Sequence, residues 1–313
     1  MTVLKNLPKS PITGSRNVKV VDKFLVEDIV RLYKEQEDLN VENYFRHGEE
    51  VYLLECEDTK YRFYFPFEII GDATFYENLR DSDYDRNDAD DHKFAYQQIN
   101  ENAELLEIGC GTGKFLEQIS GITKNVTGLE LNTLAAKSAV EKGFEVKVQF
   151  IEEHAKENLN CYDVVCAFQV LEHIADVRSF LDAALKLLKP NGKLIFSVPN
   201  NEPYFQRFSK YEVLNLPPHH MGLWNLDSFK KLCSVFDMNL ENYAFTGHTS
   251  FRADAYLRAK LMVKVKSLPH RHSFAEKLKI LAVSPIAVAK STLDYLQGKK
   301  NNTHISVVFC KSD

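Results

Sequence analysis

The sequence predicts an α/β protein built on a doubly wound sheet of seven mostly parallel strands. Two observations support this fold class. Segments with strand and helix periodicity alternate from about residue 95 onward, and a glycine-rich turn joins the first of these strands to a helix. Alternation of this kind specifies a parallel sheet whose two faces are both covered by helices.

The strands are predicted from short runs of β-branched and aliphatic residues, and the helices from apolar residues three or four positions apart. Strands are expected at 104–109, 125–130, 145–150, 162–168, 193–199, 239–245 and 303–310. Helices are expected up to residue 100 and at 113–121, 133–142, 176–189 and 226–236.

The chain is predicted to divide into an N-terminal α+β appendage, residues 1–84, and a main domain, residues 85–313. Apolar side chains at helical spacing predict a helix over 17–44. The segments 51–56 and 61–66 flank a polar Glu-Asp-Thr-Lys turn and predict a β-hairpin.

A helical insertion is predicted before the last strand, at about 250–300. Residues 252–300 hold eleven Lys or Arg and three Asp or Glu, a net charge of +8, and the remainder of the chain carries −13. A basic amphipathic helix can lie on an anionic membrane surface, which is one interpretation of this stretch. We prefer the other, a lid packed on the substrate side, because a short apolar run is more often core.

The composition, 44% hydrophobic and 27% charged, is that of an ordinary globular protein. Nucleic acid is not an expected partner, because the net charge is −5 and the basic excess is confined to one stretch. There is neither an apolar run of about 20 residues nor a signal-peptide pattern, so a cytoplasmic location is expected. The six cysteines are scattered and lack the spacing of a zinc or redox centre.

Residues 105–113 read Leu-Leu-Glu-Ile-Gly-Cys-Gly-Thr-Gly and predict a strand, a tight turn and a helix start. Glycines permit positive φ and let a ligand approach the main chain. A nicotinamide site would need a third glycine where Lys114 stands, which disfavours a reductase. Cys110 lies inside the turn, and its thiol is assigned no chemistry. Glu130 ends the next strand, 17 residues beyond Gly113, where a carboxylate can accept hydrogen bonds from both hydroxyls of a ribose.

These segments resemble the class I S-adenosylmethionine-dependent methyltransferases. Glu107, Gly109, Gly111 and Gly113 match the family's motif acid-x-Gly-x-Gly-x-Gly. The Leu-Glu-His turn at 171–173 and the Lys-Pro-Asn-Gly turn at 189–192 resemble the turns beside the family's fourth and fifth strands. The resemblance implies a last strand antiparallel to the sixth, S-adenosylmethionine as cofactor and S-adenosylhomocysteine as product.

The resemblance also implies roles for individual residues around the cofactor. Glu107 is expected toward the amino end of the methionine, Glu130 on the ribose, and Glu152 at the adenine amino group. Phe168 and Gln169, at the end of a strand, are expected beside the sulfur. The residues expected to line the cofactor are Glu107, Gly109, Cys110, Gly111, Gly113, Glu130, Leu131, Ile151, Glu152, Phe168 and Gln169.

Three histidines are candidates for the base that deprotonates a hydroxyl acceptor. His173 follows the fourth strand, and His219 and His220 stand in a Pro-Pro-His-His loop after the fifth. Imidazole titrates near neutrality, which suits this task. The adjacent pair could instead cap a helix or stack on Trp224. A metal site that includes Glu172 is disfavoured, because adjacent side chains usually point apart and no further ligand spacing supports it.

The Pro-Pro-His-His loop, together with the segments Tyr-Arg-Phe-Tyr-Phe-Pro at 61–66 and Gly-Asp-x-x-Phe-Tyr at 71–76, resembles one methyltransferase subgroup. The predicted function is methylation of a hydroxyl on a small or carrier-linked substrate, first of all a sugar in surface polysaccharide biosynthesis. The alternative is a phenolic quinone precursor, because ubiquinone-pathway methyltransferases share the Val-Leu-Glu-His-Ile turn. A third hypothesis is a cofactor-binding interaction module without catalysis.

Overall fold

The protein is described by a computed structural model that covers residues 7–46, 48–79, 89–201, 213–248 and 302–312. The predicted insertion at about 250–300 lies outside these residues. The strands are β1 Val18–Leu25, β2 Glu50–Cys56, β3 Arg62–Phe65, β4 Leu105–Ile108, β5 Val126–Leu129, β6 Glu145–Lys147, β7 Tyr162–Phe168, β8 Leu188–Pro199, β9 Gly222–Leu223, β10 Met238–His248 and β11 Asn302–Lys311.

The helices flank these strands along the chain. They are α1 Val26–Glu37, α2 Ala73–Asn78, α3 Ala89–Tyr96, α4 Lys114–Ile119, α5 Thr133–Glu141, α6 Ile151–Glu157, α7 Val177–Leu187 and α8 Leu226–Leu232. Within the described ranges, no helix combines the length and apolarity that a membrane crossing requires.

The main sheet has seven strands in the order β10-β11-β8-β7-β4-β5-β6. The five strands from β8 to β6 are parallel to their neighbours, and β11 runs antiparallel to both β8 and β10. The predicted fold class and the antiparallel last strand are therefore confirmed. All four residues of β4 are buried, as expected for a central strand covered on both faces. Ligands of such sheets bind at the carboxyl ends of the strands.

The N-terminal part forms a second sheet of four strands in the order β1-β2-β3-β9. The predicted hairpin is confirmed, because β2 and β3 pair antiparallel. The helix predicted over 17–44 is wrong in its first third, because Val18–Leu25 is strand β1, paired antiparallel with β2. β-branched valines suit a strand, and pairing with β2 outweighs the helical spacing of the apolar residues. The short helix α6 was not predicted.

The strand β9 belongs to the loop after β8 but pairs with β3, so the N-terminal sheet is completed by a distant part of the chain. Val213, Leu216 and Met221 from that loop are buried in one apolar cluster with residues of α1 and β2. The Tyr33 hydroxyl lies 2.8 Å from the Val213 carbonyl oxygen and 2.9 Å from that of Leu216. The division at residue 84 stays a prediction, and the two parts share a sheet and a core.

Candidate active site

The glycine turn between β4 and α4 has the backbone that the sequence predicts. Gly109, Gly111 and Gly113 have φ of +70°, +53° and +78°, a region that other residues rarely adopt. A Cβ atom at Gly109 would lie 2.5 Å from Val170 Cγ2, and one at Gly113 would lie 3.0 Å from Ala139 Cβ. Both conformation and packing therefore require glycine at these two positions.

Glu130 follows β5, and its carboxylate is held against this turn. Its Oε2 accepts a hydrogen bond from the Gly111 amide at 2.9 Å, and its Oε1 accepts one from the Asn132 amide at 2.7 Å. A carboxylate has about four acceptor positions, so the two oxygens retain capacity for ligand hydroxyls. Asn132 caps α5, because its side chain accepts from the amides of Leu134 and Ala135.

Two buried polar groups lie at the ends of the adjacent strands β4 and β7. Glu107 is 4% exposed, and its Oε2 has no hydrogen-bond partner among the described residues. Burial, together with the nearby charge of Glu130, raises the pKa of Glu107 well above its usual range. Gln169 has a left-handed φ of +54°, and its buried Nε2 also has no partner within the described ranges. Buried polar atoms are nearly always paired, so these two indicate a place for a ligand.

The residues predicted at the adenine end lie after the neighbouring strands β5 and β6. Leu131 is 47% exposed and Phe150, which precedes α6, is 59% exposed. Ile151 is buried, and Glu152 is half-buried in the first turn of α6. Both apolar side chains therefore present accessible surface near the ends of these two strands.

Two of the predicted residues direct their side chains into the core. The ring of Phe168 packs against Phe115 and His92, with centroids 4.7 and 4.9 Å away. Cys110 is buried, and its Sγ lies 2.5 Å from the place where a Cβ atom on Gly128 would be. Burial raises the pKa of the Cys110 thiol, which agrees with assigning that thiol no chemistry. These residues can meet a ligand through their main chain.

The structure brings the three candidate histidines into one cluster, which we call the histidine cluster: His173, His219 and His220. The ring centroids are 4.7 Å apart for His173 and His219, 4.9 Å for His173 and His220, and 4.5 Å for the stacked pair His219 and His220. The expectation that the adjacent pair points apart is wrong. Both of their amides donate to the Leu216 carbonyl, and this tight turn allows the two rings to stack.

Hydrogen bonds to backbone carbonyls determine which nitrogens of the cluster carry a proton. His173 Nδ1 lies 2.7 Å from the His219 carbonyl oxygen, and His219 Nδ1 lies 2.9 Å from that of Leu214. A carbonyl only accepts, so both Nδ1 atoms donate. Burial lowers the pKa of His173 to about 4, and burial with the neighbouring imidazoles lowers that of His220 well below its usual range. The rings of His173 and His220 are therefore neutral near pH 7.

Tyr76 is a member of this site that sequence reasoning did not single out. Its hydroxyl lies 3.1 Å from His173 Nδ1 and 3.3 Å from the His219 carbonyl oxygen, to which it donates. Tyr76 lies in the short helix α2 of the N-terminal part. The Gly-Asp-x-x-Phe-Tyr segment ends at this residue, so its resemblance to the methyltransferase subgroup was the available signal.

The sequence matches the family model described as Methyltransferase domain over residues 81–242, just over half of the 313 residues. The chain belongs to this family. The predicted membership of the S-adenosylmethionine-dependent methyltransferases is thereby confirmed. The glycine turn, Glu107, Glu130, Gln169 and the histidine cluster all lie within the matched residues.

Curated relatives are similar to this chain over a shorter stretch. A protein of Cronobacter sakazakii named Ubiquinone biosynthesis O-methyltransferase is 38% identical over 103 residues, which are 31% of this chain and 42% of the relative. Its namesake from Hydrogenovibrio crunogenus is 35% identical over 132 residues, 39% of this chain and 54% of the relative. The chain thus spans about half the length of the curated relatives it matches.

Solved structures share the fold at low sequence identity. A putative methyltransferase from Bacillus halodurans superimposes with a TM-score of 0.50 at 16% identity, covering 70% of this chain and 98% of that one. A structure titled as a complex of the Haloferax volcanii Trm112 methyltransferase activator with a putative methyltransferase gives a TM-score of 0.50 at 12% identity, covering 72% and 92%. These similarities concern the fold alone.

Proposed function

We propose that this protein transfers the methyl group of S-adenosylmethionine to a hydroxyl of a small or carrier-linked substrate. The observation that supports the proposal is a pair of buried polar atoms, Glu107 Oε2 and Gln169 Nε2, at adjacent strand ends beside the glycine turn. Neither atom has a hydrogen-bond partner in the part of the chain that the structure describes. An amino acid offers an ammonium group and a carboxylate, which a carboxylate oxygen and an amide donor complement. Methionine is the amino-acid part of the donor.

The other residues at these strand ends fit the rest of the donor. Glu130 retains acceptor capacity for two ribose hydroxyls, as the resemblance implies. The exposed side chains of Leu131 and Phe150 offer apolar surface for an adenine ring, and Glu152 offers an acceptor for its amino group. When bound, the donor supplies an electrophilic methyl carbon on a sulfonium. The protein has to align this carbon with the acceptor oxygen.

The histidine cluster lies on the side where an acceptor would enter, because His173 follows β7 and the loop with His219 and His220 packs over it. In the proposed reaction the acceptor oxygen forms a bond to the methyl carbon while the carbon–sulfur bond breaks and its electron pair remains on sulfur. The hydroxyl proton leaves to a base, and we assign this task to the cluster.

A sugar hydroxyl in surface polysaccharide biosynthesis is the first acceptor to test. It is supported by the subgroup resemblance and by the net charge of +8 in residues 252–300, which suits a phosphate-bearing carrier. A phenolic quinone precursor is the second, and it is supported by relatives named Ubiquinone biosynthesis O-methyltransferase. These relatives match only about a third of this chain, so their name is weaker support for an acceptor than the residues of the site are.

Donor binding is tested by calorimetric titration of the full chain with S-adenosylhomocysteine and, separately, with NAD. We expect the former to bind and the latter not to bind. Glu130→Ala should weaken S-adenosylhomocysteine binding about tenfold to a hundredfold, the scale of a charge-assisted hydrogen-bonded pair. The control is Glu141→Gln on the outer side of α5, where an exposed carboxylate is removed from a helix surface. Equal affinity of both variants would remove Glu130 from the site.

Turnover is tested with a donor labelled in its methyl group and a panel of nucleotide-linked sugars, lipid-linked sugar phosphates and catechols. Transfer to oxygen of a sugar supports the first acceptor, and transfer to a catechol replaces it with the second. His219→Ala and His220→Ala should each lower kcat at least tenfold. Binding of S-adenosylhomocysteine without transfer to any of these acceptors would favour the non-catalytic module.

A further inference from the structure

The histidine cluster has the composition of a metal site. One nitrogen from each ring, His173, His219 and His220, lies within 4.8 Å of the corresponding nitrogens of the other two. His220 is buried at 5% exposure, and its Nδ1 has no hydrogen-bond partner among the residues that the structure describes. An unpaired polar atom at such a position lacks the interaction that nearly all buried nitrogens have.

Hydrogen bonds orient two of the three rings. Each Nδ1 of His173 and His219 donates to a backbone carbonyl, so Nε2 is the nitrogen with which each of these two rings would face an ion. Metal-binding histidines typically donate their second nitrogen in this way, and the hydrogen bond fixes both tautomer and ring orientation.

The backbone on either side of the cluster is fixed as well. The Met221 amide donates to the Glu172 carbonyl at 2.8 Å, and this bond ties the loop to the turn that carries His173. The Glu172 side chain is 1% exposed, and its Oε1 lies 4.0 Å from His173 Nε2. A carboxylate at this distance would offset part of the charge of a cation bound by the three rings.

We propose that His173, His219 and His220 bind a divalent transition-metal ion of the zinc class. Three imidazole ligands with a fourth position open are the arrangement of a catalytic zinc site, and imidazole suits zinc, nickel, copper and iron. Zn–N bonds of about 2.0–2.1 Å in a tetrahedral site place the ligand nitrogens roughly 3.3 Å apart. The separations of up to 4.8 Å would therefore have to close by up to about 1.5 Å on binding.

The role of this metal rests on the proposed function, whereas its binding does not. At the open position an acceptor hydroxyl would bind as the fourth ligand, and the ion would lower the pKa of that hydroxyl. The proton would then leave to solvent, and the acceptor oxygen would attack the methyl carbon. With the ion bound, the cluster would promote loss of the proton through the ion, whereas without it an imidazole would take up the proton directly.

The test is a calorimetric titration of the tag-free full chain with Zn²⁺, repeated with Co²⁺, whose visible absorption reports tetrahedral nitrogen coordination. We expect one ion per chain. His173→Gln and His220→Gln should each weaken binding at least a hundredfold and remove the Co²⁺ absorption. His154→Gln is the matched control, because His154 is also buried but is hydrogen-bonded to the Tyr162 hydroxyl, on another part of the sheet. It should bind the ion like the parent chain.

The same samples are titrated with S-adenosylhomocysteine and melted, which separates the two proposals and shows that each variant is folded. If S-adenosylhomocysteine binds but Zn²⁺ and Co²⁺ do not, the metal site is wrong and the methyltransferase proposal stands. If the ions bind at the cluster but no methyl donor binds, the metal site stands and the proposed function fails. Ion binding that survives both cluster variants would also overturn the metal site.

Discussion

Glu107 shows how one buried carboxyl group can control ligand binding. Its Oε2 has no partner among the residues that the structure describes, and burial raises its pKa, so the side chain favours the neutral acid in the free protein. A cationic amino group placed beside it would favour the carboxylate instead. In the proposed site, binding of the donor would therefore be coupled to loss of a proton from this residue.

We expect the affinity for S-adenosylhomocysteine to rise with pH between about 5 and 7, below the range in which the amino group of the ligand titrates. The raised pKa of Glu107 makes ionisation part of the binding reaction, and one released proton gives at most about a tenfold gain per pH unit. Calorimetry in buffers of different ionisation enthalpy measures the proton count directly.

The control is Glu107→Gln, which keeps the size of the side chain but cannot ionise. This variant should bind more weakly and without the pH dependence. If the parent chain and the variant have the same pH profile, Glu107 does not meet the amino group of the ligand.

At the scale of the element, the turn between β4 and α4 is held by the side chain of Val170 as much as by its own glycines. Gly109 combines a positive φ with a would-be Cβ contact of 2.5 Å to Val170 Cγ2. The strand end of β7 thus packs directly onto the turn. A substitution at Val170 should therefore affect the stability of the glycine turn, and a substitution at Gly109 should affect the packing at the end of β7.

Gly109→Ala is expected to lower the free energy of unfolding by about 2–4 kcal/mol, from left-handed strain of about 1–2 kcal/mol and a packing clash of similar size. In the double variant with Val170→Ala the clash should be relieved, so the part of the lost unfolding free energy that comes from the clash should return. The part that comes from left-handed strain should remain. Chemical denaturation measures both, and S-adenosylhomocysteine titration reports whether the turn still binds.

Gly143→Ala is the matched control, because Gly143 has φ of +96° but no atom of the described residues lies within 4 Å of its would-be Cβ. This variant should lose only the part of the unfolding free energy that comes from left-handed strain, about 1–2 kcal/mol. If Gly109→Ala and Gly143→Ala cost the same, the contact with Val170 contributes nothing to the stability of the turn.

The elements also show what could be predicted from sequence. The glycine turn and the end of β5 were predictable, because Gly109, Gly113 and Glu130 act through local backbone geometry. Strand β1 was missed because its apolar spacing also fits a helix, and only pairing with β2 decides between the two. The contact of His173 with His219 joins residues 46 positions apart, and no local pattern encodes that distance.

At the scale of the whole molecule, the N-terminal part supports the loop and the turn that carry the histidine cluster. The Tyr33 hydroxyl lies within hydrogen-bond distance of two carbonyl oxygens of the loop that carries His219. The Tyr76 hydroxyl contacts the histidine cluster itself. The loop then continues into β9, which completes the N-terminal sheet. Among the described residues, the glycine turn and Glu130 make none of these contacts.

Removal of residues 1–84 is expected to abolish cooperative unfolding, because Val213, Leu216 and Met221 would lose the apolar cluster that buries them. Thermal melts followed by circular dichroism test this. The full-length variant Tyr33→Phe should stay folded, and its free energy of unfolding should fall by about 1–2 kcal/mol, because the buried carbonyls of Val213 and Leu216 lose their hydrogen-bond donor. A stable fragment of residues 85–313 with a sharp melt would contradict the shared core.

The two-residue strand β9 begins two positions after His220. Its place in the N-terminal sheet means that the loop carrying His219 and His220 is anchored in both parts of the chain. A chimera that exchanges residues 1–84 between relatives would therefore have to bring the matching residues 213–223 with them.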